Sequence, residues 1–291
     1  MKENKSSEII PVLADLTKYR LSLAVVLSSV TGYYLAYNDT EISLLYLSAG
    51  VFLLSSGSAA LNQYTERAAD SLMERTRTRP LPSGKISVKQ TLTLSVLFFI
   101  SGSILLLMNG IIPLVLGLLT VVLYNVVYTR LKMKTILSII PGALVGAIPP
   151  LIGYSSSGNS FYSQDIIAFS LFMFLWQLPH FWLILIRNDK DYAAAGFATI
   201  SKYLNDLQIR YLIFFWVLLT SAFIIFYFIL TETLNKNIFI SISLLNLTFI
   251  FLFHRLLFRK EGKNEIRGAF ILMNSVSLLI MVLIIAESIF K

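Results

Sequence analysis

Three polar patches interrupt an otherwise apolar sequence. The first reads Asn62-Gln-Tyr-Thr-Glu66-Arg-Ala-Ala-Asp70-Ser-Leu-Met-Glu74-Arg-Thr-Arg-Thr-Arg-Pro80. Asn62, Glu66, Asp70 and Glu74 recur every four residues, which places them on one slowly drifting helix face. Hard oxygen ligands at that spacing suit Mg²⁺, which keeps several waters and joins one or two carboxylates to substrate phosphates. Arg67, Arg75, Arg77 and Arg79 beside them offer bidentate donors to phosphate. A solvated juxtamembrane helix with acidic and basic faces has the same pattern, and spacing alone does not separate the two readings.

The second patch runs from Trp176-Gln-Leu-Pro-His180-Phe to Arg187-Asn-Asp-Lys-Asp191-Tyr-Ala-Ala-Ala-Gly196. On an ideal helix His180, Arg187 and Asp191 fall within about 40° of one another. His180 follows Pro179 inside an apolar run, and an intramembrane ionisable residue is a functional candidate by default. The competing reading is a neutral imidazole bound to a carbonyl freed by the proline. His254 reads as an interfacial anchor. In the third patch, Tyr124-Asn-Val-Val-Tyr128-Thr-Arg-Leu-Lys132, the phenol of Tyr128 and the amine of Lys132 share a face and could grip a diphosphate. An aromatic belt beside a basic cluster looks the same. There is no cysteine, which excludes disulfides, thiolate metal sites and a cysteine nucleophile.

The elements that carry these patches follow from composition. Of 291 residues 56% are apolar and only 14% charged, against about 25% charged in soluble domains, and mean hydropathy is +0.74. A soluble enzyme, a disordered chain and a coiled coil are excluded. Nine apolar stretches of spanning length occur at about 21–37, 44–62, 91–108, 112–129, 136–154, 165–186, 211–231, 237–254 and 268–290. A crossing helix needs roughly 20 such residues, whereas a β-barrel would show alternating segments of about 10. The expected fold is all-α, a polytopic bundle of nine transmembrane helices: a cytoplasmic tail over 1–20, then one integral-membrane domain over 21–290 with long cytoplasmic loops at about 63–90 and 187–210.

The basic residues orient this bundle. Of the 24 lysines and arginines, 22 fall in the tail and in the connections after spans 2, 4, 6 and 8, all on one side of a nine-span chain. Only Lys236 and Lys291 fall on the other. By the positive-inside rule the N-terminus is cytoplasmic and the C-terminus outside. The tail has no signal-peptide h-region and is not an Arg-rich transit peptide, so a bacterial plasma membrane is expected. The net charge of +8 divides into +11 inside and −3 outside, so it is a topology signal and no nucleic-acid footprint.

On this map all three patches open on the cytoplasmic mouth of an apolar bundle. Carboxylates, an amide, arginines and a lysine gathered there suit an amphiphile with a diphosphate head and an isoprenoid tail. Neutralised by metal and cations, a diphosphate leaves readily and yields an allylic cation shielded from water.

Asn62-x-x-x-Glu66-x-x-x-Asp70 followed by Met73-Glu-Arg75-Thr76-x-x-Arg79-Pro80-Leu81 resembles the first Asp-rich motif of the UbiA-type intramembrane prenyltransferases. Tyr128-Thr-x-Leu-Lys132, Pro141-Gly-Ala-x-x-Gly-Ala-Ile-Pro-Pro150, Trp176-Gln-x-Pro-His180-Phe and Asp191-Tyr-x-x-Ala-Gly196 are similar to later blocks of the subgroup that farnesylates protohaem IX. The resemblance runs from about Leu16 to Thr199 and more weakly beyond. It implies transfer of farnesyl from farnesyl diphosphate to a vinyl group of haem b with addition of water, giving haem O for terminal oxidases. Mg²⁺ is the implied cofactor. Asn62, Glu66 and Asp70 would bind it directly or through water, with Asp191 acting from the second Asp-rich position. Arg67, Arg75, Arg79, Tyr128, Lys132, Lys18 and Arg20 would contact the diphosphate. Arg187, which stands where general members carry an acid, is assigned to the diphosphate as well. Glu66 stands where the motif usually has Asp. His180 is the candidate haem ligand. Expected partners are the two substrates, the bilayer and downstream proteins of haem A synthesis or oxidase assembly. The alternatives are prenylation of an aromatic quinone precursor, and a secondary transporter, which would instead carry mid-span charges and an inverted repeat.

Overall fold

The computed structural model describes residues 5–36, 41–231, 236–259 and 262–289. Met1–Asn4 of the tail, residues 37–40 and 232–235 in two outer connections, and Lys260 and Lys291 of the charge count lie outside the described residues. Among the described residues every regular element is helical. In order these are α1 (Lys5–Leu16), α2 (Tyr19–Leu35), α3 (Glu41–Leu72), α4 (Val88–Met108), α5 (Ile111–Val122), a π-helical turn (Leu123–Tyr128), α6 (Thr129–Lys132), α7 (Ile139–Ser156), α8 (Gln164–Arg187), α9 (Asp189–Ala194), α10 (Asp206–Thr231), α11 (Lys236–Phe258) and α12 (Gly262–Ile289).

Long helices stand at all nine expected spans. Eight of them are long and apolar enough to cross a membrane, counting α5 to α6 as one continuous rod. The remaining one, α2, has 17 residues and sits at the short end of the range that spans a bilayer. The outward faces are what lipid requires: Ile100, Ile104, Val115, Phe215, Leu247 and Phe251 are all more than half exposed. In lipid the exposure of apolar side chains costs nothing, so helix association rests on close packing and polar contacts.

That packing is clearest where α2 meets α7. A Cβ added at Gly32 would fall on the carbonyl of Pro150, and one added at Gly153 would fall on the carbonyl of Ser29. The two backbones are in direct contact, an approach that only hydrogen in place of Cβ permits. α3 packs on α4 less closely, with Gly50 and Gly102 against one another's carbonyls and Gly57 under the Phe99 ring, and α12 returns against α2 and α8.

Two elements depart from the expected bounds. α3 does not end near residue 62 but continues to Leu72, so the first polar patch begins as a rigid extension of a spanning helix. α1, drawn from the supposed tail, docks on that extension: Leu16 is fully buried among Ala60, Leu81 and Ile86, with Val12 and Tyr64 alongside. Lys18 joins α1 to α2 with a left-handed backbone, φ 47° and ψ 48°. It is the sole non-glycine with positive φ among the described residues.

The α2–α7 contact yields a stability prediction. Gly153→Ala should lower the thermal stability of the detergent-solubilised protein by an amount in the overpacking range, about 1–3 kcal/mol, whereas Gly268→Ala, where an added Cβ would meet the Leu256 side chain only at 3.4 Å and beyond, should cost less. Unchanged unfolding of Gly153→Ala would contradict the close approach.

Candidate diphosphate and metal site

The extended part of α3 buries Asn62, Glu66 and Asp70 to 2%, 6% and 0% exposure, while Thr65, Arg67 and Ala68 between them face outward. Glu74 does not continue the row. The helix ends at Leu72, the next position is taken by buried Met73, and Glu74 points to solvent.

Each of the three buried groups is met by a cation from a different part of the chain. Lys18 Nζ donates to Asn62 Oδ1 at 2.9 Å. Lys132 Nζ donates to Glu66 Oε1 at 2.9 Å and Oε2 at 3.2 Å. Arg79 Nη1 donates to both oxygens of Asp70, at 2.9 and 2.8 Å. These pairings answer the cost of burying carboxylates, which is high unless an opposite charge and hydrogen bonds accompany them. Removal from water, together with the Arg79 guanidinium nearby, lowers the Lys18 ammonium to about 7, with Glu66 pulling the other way.

Local structure explains how each cation arrives. The left-handed joint turns Lys18 inward off the start of α2. Arg79 lies in a turn held by Thr76, whose hydroxyl donates to the Asp70 carbonyl at 2.9 Å. Lys132 closes α6, just after the π-helical turn, and its ammonium lies 5.8, 5.6 and 4.7 Å from the ring centres of Tyr128, Tyr192 and Phe197. Tyr128 stacks on Tyr124 and touches Phe181.

The second patch therefore reaches the first through Tyr192 and Phe197, which pack with Met73 and Ala69. Sequence reasoning gave neither ring a role, although Tyr192 is part of the quoted Asp191-Tyr block. Asp191 itself is half-buried and Arg187 exposed. Arg187 ends the helix that carries His180, but Asp191 does not continue that face, because α8 stops at Arg187. Asn188 ends it by donating its Nδ2 to the Ile184 carbonyl at 2.8 Å. His180 faces α12, its ring 5.0 Å from Trp176 and 4.9 Å from Phe270, with Nδ1 buried and without a hydrogen-bond partner among the described residues. Arg67 lies over Tyr64 and Arg20 over Tyr19, both exposed and outside the cluster. Arg75 is exposed as well.

Directly below the cluster an apolar cavity of about 610 Å³, its open side included, lies between α2, α3, α5 and α7. Ser58 and Ala59 line it, one turn from Asn62, and Tyr124 forms part of its wall. A charged head at the cluster and an apolar tail in the cavity would lie along one face of α3.

The donor set fits Mg²⁺: an amide oxygen and two carboxylates on one face, all hard ligands. Among the described residues no group of three or more His, Cys, Asp or Glu side chains is close enough to hold an ion alone.

This chain belongs to the UbiA prenyltransferase family, whose sequence model matches residues 25–276. It is therefore a multi-pass membrane protein of a prenyl-transferring class. Among its relatives are proteins named protoheme IX farnesyltransferase from Christiangramia forsetii (37% identical, over 67% of this chain and 65% of the relative), Geobacter sulfurreducens (40%, over 62% and 68%) and Listeria innocua (34%, over 74% and 73%). The matched part of the chain thus spans about two thirds of these relatives' length. Solved structures share the fold at low identity. One of digeranylgeranylglyceryl phosphate synthase has a TM-score of 0.76 at 16% identity, covering 98% of this chain and 100% of that one. A UbiA homolog from Archaeoglobus fulgidus bound to GPP and Mg²⁺ has 0.71 at 14%, covering 96% and 98%.

The ion pairs carry a thermodynamic signature. Lys132→Met leaves Glu66 unpaired at 5% exposure and should destabilise the protein by about 3 kcal/mol or more. Adding Glu66→Gln should recover most of that loss, as read in a double-mutant cycle of thermal unfolding. Additive losses would show that the two side chains are not coupled.

Proposed function

We propose that this protein transfers the farnesyl group of farnesyl diphosphate to a vinyl group of haem b, with addition of water, to form haem O. The observation that carries the reading is the continuity of the cation-lined carboxylate face of α3 with the apolar cavity one turn below it. The choice of farnesyl and of haem rests on the likeness to the relatives named above. We further propose a bacterial plasma membrane as the location, with the N-terminus in the cytoplasm, as the positive-inside rule requires.

In this reading the diphosphate enters among Lys18, Lys132 and Arg79, and the cations pass from their present partners to its oxygens. Asn62, Glu66 and Asp70 are thereby released to hold Mg²⁺, directly or through water. Bound there, the ion supplies charge neutralisation to the leaving diphosphate. Tyr128 and Lys132 close over the head, and the tail lies beside Tyr124. The bond between farnesyl C1 and the diphosphate oxygen breaks, and the diphosphate departs with the bonding pair toward the cations. C1 bonds to the vinyl group, and water completes the side chain with loss of a proton. The dry wall of the cavity protects the allylic cation from premature capture. Arg67, Arg75, Arg187 and Arg20, exposed at the mouth, draw the anionic head in electrostatically, and Asp191 acts from the edge of the second patch.

Membranes holding the protein, given haem b, farnesyl diphosphate and Mg²⁺, should yield a haem heavier by farnesyl plus water in mass analysis, and EDTA should abolish it. Asn62→Ala and Asp70→Ala should each lower turnover by about 100-fold or more without loss of membrane insertion. A prenylated aromatic acid in place of haem O would redirect the reading to quinone precursors. For the haem, His180 is proposed as the axial ligand on the strength of its buried, unpartnered Nδ1. His180→Ala should then lose the Soret shift seen when wild type binds haem b, and an unaltered spectrum would remove His180 from the site.

A further inference from the structure

Behind Asn62 stands a residue to which the reading above gives no role. Thr129, exposed to only 2%, follows the π-helical turn Leu123–Tyr128. Its backbone N–H and its Oγ1 both donate to the Tyr124 carbonyl, the hydroxyl at 2.8 Å. The same Oγ1 lies 3.4 Å from Asn62 Nδ2.

The polarity of this chain of hydrogen bonds is fixed at both ends. A carbonyl only accepts, so the single hydroxyl proton of Thr129 goes to Tyr124 and its lone pairs are left for Asn62. Toward Thr129 the amide must then present Nδ2. On the opposite side Lys18, while protonated, only donates, and it takes Oδ1 at 2.9 Å. Oδ1 is in this way turned toward Lys18, while the amide nitrogen is shared between Thr129 and the Glu66 carboxylate. The reverse orientation would set two donors against each other at Lys18. Single π-helical turns inserted in α-helices concentrate at functional positions. Here the turn lets one carbonyl, five residues back, take both the backbone and side-chain protons of Thr129.

We infer that Thr129 is a positioning residue. Through its hydroxyl it holds the Asn62 amide so that oxygen, and not nitrogen, faces the metal-bound diphosphate. The inference rests on the proposed function. Groups that orient a metal ligand from behind typically change metal affinity by about 10–100-fold when removed.

The test is a binding measurement on the full chain in detergent, with Mn²⁺ as the EPR-visible ion and farnesyl thiodiphosphate as an inert substrate analogue. Thr129→Val keeps the shape and removes the hydroxyl. It should raise the Mn²⁺ concentration for half-occupancy about tenfold or more, with an unchanged thermal midpoint. Thr129→Ser should bind as wild type does. If Thr129→Val does not insert, Thr129→Ala removes the same hydroxyl with less bulk and should show the same shift. Wild-type Mn²⁺ affinity in the hydroxyl-free variant overturns the inference, and so does a loss in Thr129→Ser equal to that in Thr129→Val. Wild-type protein that takes up no Mn²⁺ beside the thiodiphosphate overturns the metal-site reading together with it.

Discussion

Placing carboxylates at the edge of a membrane is costly, and much of this structure's polar architecture answers that cost. Glu66 and Asp70 are nearly inaccessible, and Asn62 beside them is no better hydrated. Each is neutralised or hydrogen-bonded by a cation that originates elsewhere in the chain: Lys18 before α2, Arg79 after α3, Lys132 at the close of α6. The left-handed backbone at Lys18, the capped turn around Thr76 and the rings about Lys132 are the local devices that deliver those three groups. A strained backbone residue persists where its surroundings over-determine it, and Lys18 is held by Asn62 on one side and by the docked α1 on the other.

The same arrangement explains why a diphosphate is a fitting ligand. Cations already gathered and desolvated can change partners from carboxylate to phosphate, and the carboxylates so released are hard ligands for the ion that accompanies the substrate. Recognition of this kind asks for exchange among preformed contacts more than for a large movement of helices. The apolar cavity continues from the site along α3, so in the proposed reading one element would meet both head and tail.

Much of this was legible in the sequence because membrane helices are governed by few rules. Apolar runs of fixed length placed the spans. The four-residue spacing of Asn62, Glu66 and Asp70 correctly put them on one face. The same spacing failed at Glu74, because α3 ends two residues earlier and no local propensity marked the end. It failed again across Asn188, whose side chain stops α8 by binding back to Ile184, so that Asp191 does not extend the face of His180 and Arg187. Arg67 and Arg20 sit beside residues of the cluster in sequence yet lie over neighbouring tyrosines outside it. Tyr192, Phe197 and Thr129 were not identifiable from residue type, since two rings and a hydroxyl act here only through the charged or amide group each one touches. Their roles are tertiary and depend on which helices meet.

The sequence separations of the three pairs also give the site an order of assembly. Chains are made from the N-terminus, and early segments fold while later ones are still being synthesised. Asp70 finds Arg79 nine residues on, and Asn62 meets Lys18, which precedes it by 44. Glu66 must wait for Lys132, 66 residues downstream, beyond α4 and α5. Until that hairpin has inserted and folded back, one carboxylate at the membrane edge has no counter-charge, which favours keeping that end of α3 in contact with water. Closing α6 over it then completes the ion pair, while the cavity wall still awaits α7.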